Sequence, residues 1–84
     1  MSYLLKSHPK VIKFLEKCEK LIAKRIRNKF EGLKADPFIY LEHFENQNFY
    51  KLRIGEYRAL VEVDISRRII FIRYLDHRKR IYKK

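Results

Sequence analysis

Lys51, Arg53 and Arg58 are the first residues of this chain whose types and spacing carry chemistry. They lie in residues 49–63, two runs rich in Tyr, Ile, Leu and Val joined by Gly55-Glu56. A Gly-X pair suits the two-residue type II′ turn of a β-hairpin. That turn sets Ile54 opposite Tyr57, Arg53 opposite Arg58, and Lys51 opposite Leu60. Strand side chains alternate faces, so Lys51, Arg53 and Arg58 then share one face. Leu52, Ile54, Tyr57, Ala59, Val61 and Val63 share the other. Like charges directly opposite each other destabilise a sheet by up to about 1 kcal/mol. Two arginines placed that way point to an anion held between them; a solvated basic face is the competing reading.

Other reactive side chains are scattered. His77 follows Asp76 and reads either as a general acid or base or as a surface group. Glu62 falls on the face of Arg58, as a base or, more simply, as half of a cross-strand ion pair. His8, His43 and His77 stand singly, so no metal cluster is expected. The lone Cys18 excludes an internal disulfide and a cysteine zinc site, and reads as a small buried apolar residue. Tyr40, Tyr50, Tyr57 and Tyr74 read as core or sheet-face residues, and any on the open face could stack on a base.

Eighty-four residues make one domain, 1–84, with one modest core. The formal net charge is +11, which points to a polyanionic partner. The excess is uneven: residues 1–48 hold 10 basic and 6 acidic side chains, residues 49–84 hold 11 and 4. The positive charge falls on strands and a tail, which favours nucleic acid over a membrane surface. An acidic protein is drawn by the same field. No run of about 18 apolar residues is present and no apolar signal core opens the chain, so a cytoplasmic location is the expectation.

The elements that must position the cations follow from periodicity. Residues 3–6 form a short candidate strand. Ser7 or His8 caps a helix with Pro9 at its first position. Val11, Leu15, Cys18, Ile22, Ile26, Phe30 and Leu33 then recur at spacings of three and four. One helix over that span would be about 37 Å long, an overhang for so small a domain, so two helices with a bend near residues 17–20 are expected. Lys13, Lys17, Lys20, Lys24, Arg27 and Lys34 form their solvated side. Asp36-Pro37 ends the second helix, and residues 38–41 are a further helical turn or an extended segment. His43-Phe44 pairs briefly with the sheet. Asn46-Gln47-Asn48 is a polar turn. After the hairpin, residues 64–68 turn and residues 69–75 form a third, buried strand. The expected class is α+β: a short N-terminal strand, two helices on one sheet face, and a three-stranded antiparallel sheet segment.

Three stretches together resemble a known family. Tyr50-Lys51-Leu52-Arg53-Ile54-Gly55-Glu56-Tyr57-Arg58 is similar to the Y-[KR]-L-[KR]-x-G-x-Y-R hairpin of RelE/ParE-superfamily toxins. His77-Arg78-Lys79-Arg80-Ile81-Tyr82 resembles their H-R-x-x-x-Y ending, and Ser7-His8-Pro9-Lys10 their S-P-K start. The chain looks most like the archaeal RelE-type mRNA interferases of toxin–antitoxin pairs. The resemblance implies cleavage of mRNA in the ribosomal A site. A ribose 2′-OH attacks the adjacent phosphate and leaves a 2′,3′-cyclic phosphate, without a metal or cofactor. It implies an acidic RelB-like antitoxin as partner. It assigns Lys51 and Arg53 to the family's basic pair, Arg58 to its Tyr-Arg arginine, Arg78 to its tail arginine and Tyr82 to its catalytic tyrosine. His77 joins the catalytic candidates. The RNA-contacting set becomes Lys51, Arg53, Arg58, Arg73, Arg78, Lys79 and Arg80. The chain departs from the pattern in a shorter first strand and in a helix break without proline. Arg53 stands where some members have lysine, and the spacing from Arg78 to Tyr82 varies in the family.

Internal 2′-OH attack needs a base, charge stabilisation on the phosphorane and an acid for the leaving oxygen. The sequence offers cations for the second and no recognisable pair for the others. Arginine forks suit phosphate oxygens. Such a site is slow on free RNA and depends on a ribosome to shape the substrate. Two rival readings remain: a ParE-like toxin of topoisomerase, and a non-catalytic basic module that binds RNA or an antitoxin. Neighbouring cations favour the phenolate of Tyr82, so Tyr82→Phe is expected to lower ribosome-bound cleavage about 10²–10⁴-fold with little loss of ribosome binding. Single-turnover cleavage beside a ribosome pull-down measures both.

Overall fold

The computed structural model describes residues 2–43 and 49–77. Strand β1 (Leu4–Ser7) leads into α1 (Pro9–Lys17) and α2 (Lys20–Gly32). A 3-10 turn (Pro37–Ile39) and the two-residue strand β2 (Glu42–His43) follow. The chain then forms β3 (Phe49–Ile54), β4 (Tyr57–Asp64) and β5 (Ile69–His77). The strands make one sheet in the order β1-β5-β4-β3-β2. β1 runs parallel to β5, and the other pairs are antiparallel. The three expected antiparallel strands are thus the centre of a five-stranded mixed sheet. The other two, the short first strand and the brief pairing at His43, are edges of four and two residues held by pairing to longer neighbours.

Local chemistry explains the helical layer. Pro9 occupies the first helical position, and the His8 Nδ1 accepts a hydrogen bond from the Lys10 N–H at 3.1 Å, so His8 is the cap. Cys18 and Glu19 are both extended, with ψ of 156° and 144°, and break the helix where length demanded a bend. The longest dimension of the fold is 34 Å, shorter than the unbroken rod would be. Burial pushes the Cys18 thiol pKa up, partly offset by Arg27. Asp36 caps the 3-10 turn by accepting from the Phe38 N–H at 3.2 Å, so the first option for residues 38–41 is the one realised. Asn46-Gln47-Asn48 and Phe44 lie outside the described residues.

The hairpin register is as read from the turn: Ile54↔Tyr57, Arg53↔Arg58 and Lys51↔Leu60. Gly55 has φ +58° and Glu56 has no positive φ, which is the II′ pattern. In the β4–β5 turn, the Arg67 N–H and the Ser66 hydroxyl donate to Asp64 and hold its carboxyl below the usual range. The β4–β5 pairing carries one irregularity. Leu60 pairs with Tyr74 and Val61 with Ile72, so Arg73 is the extra residue of a β-bulge. The bulge shifts the alternation, and Ile70, Ile72 and Leu75 are all buried despite unequal spacing.

The core lies between the helices and one sheet face. Leu52, Ile54, Ala59, Val61, Val63, Ile70, Ile72 and Leu75 meet Val11, Leu15, Ala23, Ile26, Phe30 and Leu33. Cys18 and Ile22 are only half-buried, and Ala23 takes a core place that its small size hid from the pattern. No described helix is long and apolar enough to cross a membrane. Ile26 is fully buried, so Ile26→Ala is expected to lower stability by about 2–5 kcal/mol, read from urea denaturation midpoints.

Candidate nucleic-acid interface

The sheet face away from the helices is built in three cross-strand rows. The first is Arg53–Arg58–Asp76, the second Glu42–Lys51–Leu60–Tyr74, and the third Phe49–Glu62–Phe71–Lys6. β4 supplies the middle of each row, because it is the central strand. The face therefore joins the expected cations Lys51, Arg53 and Arg58 with side chains that residue type alone did not mark, Asp76 and Phe71 above all. Their signal was available in the strand alternation of β5, but the bulge at Arg73 scrambles it.

Arg58 requires a correction. A place on the sheet face away from the apolar set implies a solvent-facing side chain, yet Arg58 is only 6% exposed. On the central strand it is flanked in register by Arg53 on one side and Asp76 on the other. Arg53 remains open, with a side chain 62% exposed and its Nε 3.9 Å from Glu42. The two arginines are thus unequal: one is fixed within the sheet, the other reaches into water. Asp76 accepts from the Tyr74 hydroxyl at 3.3 Å and from the His77 N–H at 2.7 Å. A half-buried carboxylate beside Arg58 offsets the repulsion between the arginines.

His77 lies on the other face. It pairs in register with Tyr57, whose ring packs on Phe14 and sits edge-on to the imidazole at 5.5 Å. Its Nε2 is 4.0 Å from Glu56. The alternation that buries Tyr57 therefore separates His77 from the Arg58 row. Glu62 forms the ion pair expected of it, with Arg73 as its partner: Nη2 lies 2.6 Å and Nε 2.7 Å from Oε1. Arg73 is consequently a paired cation, not a loose one. The Arg73 guanidinium also lies over the Phe71 ring at 4.9 Å, and the Lys6 ammonium sits 5.9 Å from the same ring. Tyr74 and Tyr40 are exposed, while Tyr50 and Tyr57 pack against the core. Arg78, Lys79, Arg80 and Tyr82 lie outside the described residues. No group of three or more potential metal ligands gathers among the described residues.

Residues 5–82 match the family described as the ParE toxin of type II toxin–antitoxin systems, parDE. The fold matches the archaeal RelE–RelB complex of Pyrococcus horikoshii with a TM-score of 0.84 and 26% identity, over 95% of this chain and 99% of that one. The chain belongs to the RelE/ParE superfamily of toxins of toxin–antitoxin systems. The toxin also matches the RelB–RelE complex of Methanococcus jannaschii with a TM-score of 0.71 and 25% identity, over 92% of this chain and 94% of that one. A toxin–antitoxin complex of Mycobacterium tuberculosis shares the fold with a TM-score of 0.80 at 21% identity, over 93% of each chain. No curated protein matches the toxin significantly by sequence.

The burial of Arg58 changes what its removal does. Arg58→Ala leaves Asp76 half-buried beside a void, and stability is expected to fall by about 1–3 kcal/mol. Arg53→Ala, at an exposed site, is expected to stay within about 0.5 kcal/mol of the parent. Paired urea titrations check the contrast.

Proposed function

We propose that the toxin is a metal-independent endoribonuclease that cleaves mRNA in the ribosomal A site by 2′-OH attack on the adjacent phosphate. The observation that carries this reading is the Arg53–Arg58–Asp76 row, with Lys51 on the same face. Charge on the transferring phosphorus rises in the transition state. Donors already fixed in place stabilise it without reorganising as the reaction proceeds. Burial fixes Arg58 in that way, and Arg53 and Lys51 on the same face meet the RNA backbone in this reading. Arg78 and Tyr82 complete the site in this reading, with Tyr82 at the 2′-OH. Lys79 and Arg80 add backbone contacts.

The described part of this face holds no imidazole, so catalysis rests on charge and on positioning rather than on an acid–base histidine pair. That dependence is the reason for assigning the ribosome a role: it supplies the distorted mRNA that the toxin alone does not shape. A cytoplasmic site of action follows from the substrate. The partner in this reading is a cognate, acidic RelB-like antitoxin. It is supported by a net charge of +11 and by the RelE–RelB complexes whose toxins share this fold.

A second reading, a ParE-like toxin that acts on topoisomerase and cuts no RNA, is favoured by the family match. Induction in cells followed by mapping of mRNA 5′ ends separates the two. Cuts within translated codons, lost on adding a translation inhibitor that empties the A site, are expected. Intact mRNA with induced DNA damage would overturn the nuclease reading in favour of the second. In vitro, RNA affinity is expected to fall with salt, with a log–log slope of about −0.7 per phosphate neutralised. Arg53→Ala should reduce that slope by about one such step.

A further inference from the structure

Arg73 does not have the surroundings of a phosphate-binding side chain. The Glu62 carboxylate holds its guanidinium at two nitrogens, 2.6 and 2.7 Å away. The Phe71 ring lies beneath it at 4.9 Å. A β-bulge puts it there, as the one residue of β5 without a partner on β4, and bulges of this kind re-aim a side chain. An exposed ion pair is worth at most about 1 kcal/mol, so stability alone is a weak reason for the arrangement. Its consequence is geometric. The guanidinium is a planar group clamped edge-on by a carboxylate and backed by an aromatic ring, and its side chain remains 47% exposed.

The geometry points to a stacking platform for a nucleobase, formed by the Glu62–Arg73–Phe71 cluster on the sheet face. Bases unstacked from single-stranded RNA lie on aromatic rings and on arginine planes. A base placed on Arg73 meets a surface that is already oriented, and little side-chain entropy is lost on binding. Pairing with Glu62 cancels most of the charge, so the site selects the flat face of a base and not the phosphate. Beside it, Arg73 and Tyr74 form one wall of an open hollow of about 240 Å³, with His8 and Lys10 on the other. The His8 Nδ1 is taken by the Lys10 N–H, which in the neutral ring leaves the proton on Nε2 as a donor. A base edge entering the hollow finds that ring in its lining. Glu62 and Arg58 are four residues apart on β4, about 13 Å along the strand. A single strand crossing the sheet therefore places its phosphate at the Arg53–Arg58 row and a neighbouring base at Arg73.

This inference rests on the RNA reading above, and the test separates the two. The full chain is titrated with a short single-stranded RNA carrying 2-aminopurine and 2′-O-methyl sugars, which resist 2′-OH attack, over a range of salt concentrations. Circular dichroism confirms the fold of each variant. Arg73→Lys keeps the charge and loses the plane. It is expected to weaken binding about five- to a hundredfold, the worth of one stacked base, with the salt slope unchanged and the 2-aminopurine quenching reduced. Glu62→Gln releases the clamp while removing a negative charge, and is expected to weaken binding and quenching too. A phosphate contact gives opposite signs: Arg73→Lys binds as the parent does, and Glu62→Gln binds more tightly with a steeper slope. Either result overturns the platform and leaves the RNA reading standing. A parent chain that does not bind the RNA at low salt overturns both.

Discussion

Every position on the open face depends on the pairing of β4 with β3 on one side and β5 on the other. The first pairing is set by a two-residue turn whose Gly55 accepts a left-handed backbone. The second contains one extra residue, Arg73. A shift of one residue in either register would send the whole of a strand's apolar set to the wrong face. Burial of Ala59, Val61 and Val63 against the helices therefore fixes which side chains remain for the open face. The cationic rows are what is left when the core is satisfied.

That origin explains why Arg58, a cation on the open face, is nonetheless buried. It sits on the central strand because the hairpin register puts it there, with Arg53 and Asp76 beside it. A buried arginine is tolerated only with compensating groups nearby, and Asp76 in register with it is one. The charge is thereby held in one place, which suits electrostatic stabilisation of a phosphorane. The same reasoning separates Arg53 on β3 as the exposed member of the pair.

Fold alone does not choose among the activities that this superfamily hosts. The chain matches a ParE family model and RelE folds alike, so the discrimination rests on the side chains of one face. There the toxin carries cations, an aromatic ring under a clamped guanidinium, and exposed Tyr74. A surface that combines charge with flat groups suits single-stranded nucleic acid, whose backbone is charged and whose bases are flat.

The sequence by itself determined the class, the helix break, the hairpin register and most of the core. Each of these is a local or periodic property. Pro9 and the three-and-four spacing make helices, length forbids one rod, Gly55-Glu56 sets the turn, and alternation sorts the hairpin's faces. Only the tertiary structure decided that Arg58 is covered, that His77 lies on the face opposite Arg58, and that Arg73 is paired with Glu62 above Phe71. All three follow from how β5 lies against β4. That alignment includes a bulge, and a bulge is set between two paired strands, with no signature in either one alone. The short first strand was legible, but its place parallel to β5 at the sheet edge was not, since four residues carry too few alternations to name a neighbour.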